Sequence, residues 1–147
     1  MLEGEKTQTV AAPPHAVWEI VSDLEGYPDW HPFFSDVDVL ERGDDGRVAR
    51  AACKHGTPIG TLKTEVEVRY DDEDSVTAKS TKGDIKQFVG AFDLARDGDG
   101  TSVTFRLVVD PGTRLGLVLR GPVEDRVRQS VLNGAFTGLE KRLAESG

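Results

Sequence analysis

Apolar positions recur first at helical spacing, then switch to strict alternation, then return to helical spacing near the end. A short alternating run at residues 5–10 reads as a strand. Val17, Ile20, Val21 and Leu24 follow at i, i+3, i+4 and i+7 behind Pro13 and Pro14, which suit a first helical turn. Gly26-Tyr27-Pro28 ends that helix. Trp30, Phe33 and Phe34 hold a second short turn at residues 29–34. From Asp36 the period becomes two, with predicted strands at 36–40, 47–55, 59–70, 75–81, 84–96 and 101–109. Between them lie the turn-formers Gly43-Asp44-Asp45-Gly46, Gly56-Thr57-Pro58, Asp71-Asp72-Glu73-Asp74 and Asp97-Gly98-Asp99-Gly100. Leu62, Thr64, Val66, Val68 and Tyr70 share one strand face; Phe88, Gly90, Phe92 and Leu94 share another, and Val103, Phe105, Leu107 and Val109 a third. Beyond Pro122, the row Val123, Val127, Val131, Ala135, Leu139 and Leu143, supported by Leu132 and Phe136, marks one long helix.

This order predicts an α+β domain over residues 1–147: a curved antiparallel sheet of about seven strands around a long C-terminal helix, with two short helices after the first strand. A sheet with one apolar face must cover it, and only the last helix is long enough to do so. A helix about 10–12 Å across does not fill a wide, twisted sheet. A space between the two is therefore expected.

Composition narrows the partners. The 147 residues carry 18 Lys and Arg against 26 Asp and Glu, a net charge of -8. No basic stripe is present to displace counterions from phosphates, which argues against nucleic acid, and the acidic balance disfavours adsorption to anionic membranes. No apolar run approaches the ~20 residues of a membrane span. The opening MLEGEKTQTV has no positive segment followed by an apolar core, so no secretory signal is expected. A single cysteine, Cys53, fits a reducing cytoplasm.

The stretch VAAPPHAVWEIVSDLEGYPDWHPFFSDVDVLE resembles the opening of the START-related helix-grip superfamily (SRPBCC), which includes polyketide cyclases and dehydrases and coenzyme-Q-binding proteins. The likeness runs through Ala12-Pro13, Val17-Trp18 and Asp23-Leu24-Glu25-Gly26-Tyr27-Pro28, then Gly98-Asp99-Gly100-Thr101-Ser102-Val103-Thr104 and the closing helix. It implies a pocket between sheet and helix that holds an apolar small molecule such as a lipid, a quinone or a polyketide-like compound. Two other activities within the superfamily stay open: an aromatase/cyclase, and an interaction module of the kind that binds ribosomes or larger complexes. Aromatase/cyclase relatives use a Trp and an Arg on the long central strand. Arg69 stands near that arginine's place, but alternation groups it with Glu65 and Glu67, facing outward, and residues 59–70 contain no Trp.

The expected lining is Trp30, Phe33, Cys53, His55, Val66, Val68, Phe88, Phe92, Phe105, Leu107, Leu119, Val127, Val131 and Ala135, each of which also reads simply as core. The small residues Ala49, Ala51, Cys53, Gly90, Gly134 and Gly138 signal either room for a ligand or unusually close helix–sheet contact. His31 reads as a solvated turn residue rather than as the edge of a cavity mouth. His55 reads as a hydrogen-bonded strand-end residue rather than a proton shuttle, and His15 as solvated. Cys53-x-His55 supplies too few ligands for zinc. With no Gly-x-Ser-x-Gly elbow and no phosphate loop, no catalytic residue, metal or cofactor is expected. Leu115, Leu117, Val118 and Leu119, flanked by Arg114 and Arg120, form either the start of a helix over the sheet end or a gate that touches lipid transiently. The sequence is silent on oligomeric state.

Overall fold

The computed structural model describes residues 2–57, 60–113 and 121–146. Its strands are β1 (Leu2–Val10), β2 (Asp36–Arg42), β3 (Val48–Thr57), β4 (Gly60–Asp71), β5 (Ser75–Gly83), β6 (Gln87–Asp97) and β7 (Gly100–Asp110). They form one seven-stranded antiparallel sheet in the order β1-β7-β6-β5-β4-β3-β2. Strands β2 to β7 follow one another as a meander, and β1 pairs with the last of them. The first two strands therefore stand at opposite edges, and the chain between them must cross the sheet. That crossing sets up the interior of this protein.

The crossing contains α1 (Pro14–Val21) and a 3₁₀ helix (Leu24–Asp29). Pro14 opens α1, whose Val17, Trp18, Ile20 and Val21 are buried. The Ser22 hydroxyl donates to the Trp18 carbonyl at 2.6 Å. At Asp23 the backbone leaves helical geometry, with ψ at 87°. The helix thus stops before Leu24, and the second helical turn lies at residues 24–29 instead of 29–34. Apolar spacing did not resolve this, because Leu24 is buried all the same; the Trp18 carbonyl accepts both the Ser22 N–H and its hydroxyl, and the Asp23 N–H turns to the Ile20 carbonyl three residues back, which ends the regular helical pattern.

Alternation along the strands is as expected: Thr64, Val66 and Val68 are buried while Lys63, Glu67 and Arg69 are exposed, and Val103, Phe105, Leu107 and Val109 all face inward. The final helix, α2 (Pro122–Ser146), packs on β1 and α1. Arg128 Nε donates to the Glu3 carbonyl at 2.7 Å, Lys6 Nζ to Asn133 Oδ1 at 2.8 Å, and Gln8 bonds Glu140. On its other flank α2 lies against the crossing segment. A Cβ on Gly138 would sit 2.0 Å from the Trp30 carbonyl oxygen, and one on Gly134 would sit 2.9 Å from Pro32 Cγ. The helical glycines therefore serve close approach to residues 30–32, not to the sheet, and leave no room for a ligand there. Gly90 is covered as well, by the Phe88 ring. The helix does not cover the sheet alone: the crossing segment shares that work.

Candidate functional site

Residues Tyr27 to Phe34 deliver five rings to the concave face, where β3, β6 and β7 supply His55, Phe88, Phe92 and Phe105. Phe92 and Phe105 stack at 4.7 Å. His31 meets Phe34 and Phe105 edge-on at 5.0 and 5.2 Å. Phe33 packs against Phe88 at 5.1 Å. Such arrangements suit the quadrupoles of the rings and add to their burial. Tyr27 lies under this group, its hydroxyl donating to the Val21 carbonyl.

Both interior histidines are neutral. His31 is 3% exposed, not solvated as its turn-like neighbours Trp30 and Pro32 suggest. Pro32 stays exposed while the backbone turns His31 inward between Tyr27 and Phe105. Its Nδ1 accepts the Phe33 N–H at 3.2 Å, so the ring proton resides on Nε2. Burial pulls its pKa down to about 3, and the nearby His55 adds to the shift. His55 is fully buried. Its Nδ1 contacts the Phe33 carbonyl at 2.9 Å and its Nε2 the Thr64 hydroxyl at 2.7 Å. A carbonyl only accepts, so Nδ1 carries the proton and Nε2 accepts from Thr64. Burial lowers this pKa to about 4, opposed in part by the Phe33 hydrogen bond. Both nitrogens of His55 are thus occupied in holding the crossing segment to β3 and β4. The expected hydrogen-bonded histidine is present, at the heart of the core.

The rings leave little space. A void of about 10 Å³ is bounded by Leu24, Tyr27, His31, Phe34, Val68, Val76, Ala78, Phe88, Gly90, Phe92 and Phe105. A second, about 20 Å³, lies among Leu2, Phe33, Leu62, Ile85, Leu107, Val109, Val127 and Val131. The open space expected between sheet and helix is therefore filled, because residues 27–34 supply the bulk that one helix lacks. The second void backs onto an open mouth of about 360 Å³ lined by Pro32, Phe33, Gly56, Thr57, Val123, Arg126, Val127, Ser130 and Val131. Phe33, Thr57, Val127 and Val131 border both. The mouth is of ligand-pocket size. Two larger surface concavities lie elsewhere. One, of about 770 Å³, runs between α1 and the end of α2; the other, of about 540 Å³, lies across β2 to β5. Neither shares a lining residue with the two inner voids.

Of the residues expected to line a pocket, Phe33, Val127 and Val131 lie at the mouth and Leu107 just behind it. Val68, Phe88, Phe92 and Phe105 enclose the inner void with His31. Trp30, His55, Val66 and Ala135 are core. Cys53 is buried and borders the groove across β2 to β5, and burial pushes its thiol up to about 12. Leu119 and the gate proposed around Leu115, Leu117 and Val118 lie outside the described residues. Arg69 is exposed on the outer face. Sequence reading missed Tyr27, His31 and Phe34 in the cage and Arg126 at the mouth. The aromatic density of residues 27–34 was the available signal for the first three. Among the described residues no helix is long and apolar enough to cross a membrane, and no group of three His, Cys, Asp or Glu converges.

Residues 1–145 match a family model described as polyketide cyclase / dehydrase and lipid transport. A START superfamily protein from Mycobacterium smegmatis has the same fold, with a TM-score of 0.86 at 24% identity over 100% of both chains. A protein from Thermus thermophilus gives 0.83 at 23% identity over 99% of both chains. An aromatase/cyclase from a Streptomyces species gives 0.67 at 20% identity, over 98% of this chain and 92% of that one. A search of curated protein sequences gives no match.

Proposed function

Since the chain belongs to the polyketide cyclase/dehydrase and lipid transport family, we propose that it binds a hydrophobic small molecule at the mouth between α2, the end of β3 and Pro32-Phe33. The observation behind this reading is the apolar opening of about 360 Å³ that shares Phe33, Val127 and Val131 with a void inside the core. Apolar burial at ~25 cal/mol per Å² drives association. A ligand longer than the mouth extends inward by displacing the Phe33 ring, which borders both spaces. A lipid, quinone or polyketide-like compound meets these requirements.

Native mass spectrometry of the purified protein, followed by solvent extraction, tests the reading. A co-purifying apolar adduct that Val127→Asp removes is the expected result. A protein that carries no adduct and takes up no apolar dye ends this proposal. The cyclase alternative draws on fold likeness to aromatase/cyclases. It has less support at the side-chain level, since Arg69 faces outward and both interior histidines are buried and outside the lining of the mouth.

A further inference from the structure

We infer that the mouth selects amphiphiles with an anionic head, a single carboxylate on an alkyl chain, and that Arg126 receives that head. This rests on the mouth being the binding site and goes on to name the class of ligand. The face of α2 turned to the mouth carries Val123, Arg126, Val127, Ser130 and Val131, the spacing of one helical stripe. Arg126 is the sole charged side chain among the described lining residues. The rest is apolar or uncharged, and Val123 is one of two large apolar side chains that the described residues leave exposed.

Several Lys and Arg of the described residues make no ion pair, but Arg126 alone of them lies in the lining of the mouth. Its nearest acidic neighbours on the helix are engaged elsewhere: Glu124 and Asp125 both bind Arg128, at 2.8 and 2.5 Å. No carboxylate of the described residues lies within ion-pair distance of Arg126. A guanidinium presents a planar fork of donors that matches a carboxylate. The mouth thus sets an apolar surface, bounded by Phe33, Val127 and Val131, beside one cationic group. A neutral apolar ligand uses that surface alone; a fatty carboxylate uses both.

The test compares decanoate with 1-decanol at pH 8 by calorimetric titration, using the full chain and its Arg126→Gln and Arg126→Glu variants. Arg126 is exposed, so both variants are expected to fold, which circular dichroism checks. The expected result is about three- to tenfold tighter binding of decanoate than decanol by the natural chain. That preference should vanish in R126Q and reverse in R126E, with decanoate affinity falling further than decanol affinity in both. Equal binding of the two probes by the natural chain, or a preference that survives R126Q, overturns the assignment of Arg126 while leaving the mouth as a binding site. Failure of both probes to bind any of the three proteins overturns the mouth itself and this inference with it.

Discussion

His55 touches Phe33 twice: its Nδ1–H donates to the Phe33 carbonyl at 2.9 Å, and its ring lies against the Phe33 ring with centroids 4.4 Å apart. Through this one side chain, strand β3 holds the segment that crosses the sheet. Replacing His55 with Leu keeps the apolar bulk but leaves the Phe33 carbonyl and the Thr64 hydroxyl without partners. A loss of about 2–4 kcal/mol is expected in urea unfolding, with Thr64→Val costing about 1 kcal/mol because the Phe33 bond survives. Equal effects of the two changes would refute the assignment of the proton to Nδ1.

Acid should weaken the fold well before carboxylates dominate. The folded protein holds His55 and His31 neutral down to about pH 4 and 3, whereas an unfolded chain protonates both near 6.5. Above pH 6.5 neither state binds these protons, and stability is intact. Below it the unfolded state gains protons first, so stability falls by about 1.4 kcal/mol per histidine for each pH unit. The fall ends near pH 4 for His55 and near pH 3 for His31. Urea midpoints at pH 7, 5.5 and 4.5 should decline steadily, and His31→Phe should halve the slope. A flat profile from pH 7 to 4.5 contradicts the burial of these rings.

Gly138 and Gly134 should respond differently to alanine. A methyl at Gly138 meets the Trp30 backbone carbonyl at 2.0 Å, which cannot rotate away. At Gly134 it meets the edge of the exposed Pro32 ring at 2.9 Å, a side-chain atom that can shift where the Trp30 backbone cannot. Alanine normally favours a helix over glycine by about 1 kcal/mol. Gly138→Ala should nonetheless destabilise by about 2–3 kcal/mol, while Gly134→Ala stays within about 1 kcal/mol of the natural chain. Thermal melts of the two variants check this, and the reverse ranking counts against the helix position described.

At the mouth, Val123 is 39% exposed and contributes little to the core. Val123→Asp should leave the melting temperature unchanged within a few degrees. It should weaken uptake of an apolar fluorescent probe about tenfold, by removing apolar contact and placing a charge beside the ligand. Undiminished uptake would move the site away from the face of α2.

The Cys53 thiol is 2% exposed, and its pKa is raised from 9.0 to about 12. Burial favours the uncharged thiol, and Asp36 adds to the effect. The thiolate fraction at pH 8 is then about a thousandfold below that of a free cysteine. A thiol-reactive chromogen should scarcely react with the folded protein and should titrate one thiol in urea. Rapid native labelling would show β3 to be far more open than described.

Much of the architecture could be read from the order of residues, because the information is local. Period-two alternation from Leu62 to Tyr70 and from Val103 to Val109 assigned strand faces that the sheet uses unchanged. The row from Val123 to Leu143 marked the long helix, and Gly98 beside Asp99 marked a hairpin. The interior was less legible. Nothing local tells Trp30-His31-Pro32 that β1 and β2 stand on opposite edges, or that the intervening chain must therefore enter the concave face. That topology buries His31, occupies both nitrogens of His55, brings Gly138 against the Trp30 carbonyl and closes most of the expected hollow. Arg126 tells the same story: in sequence it is one exposed charge on a helix, and it gains meaning only where long-range packing sets it at an apolar opening while Arg128 engages the neighbouring carboxylates. Spacing along a chain encodes which face a side chain takes, whereas the company it keeps on that face depends on contacts between residues far apart in sequence.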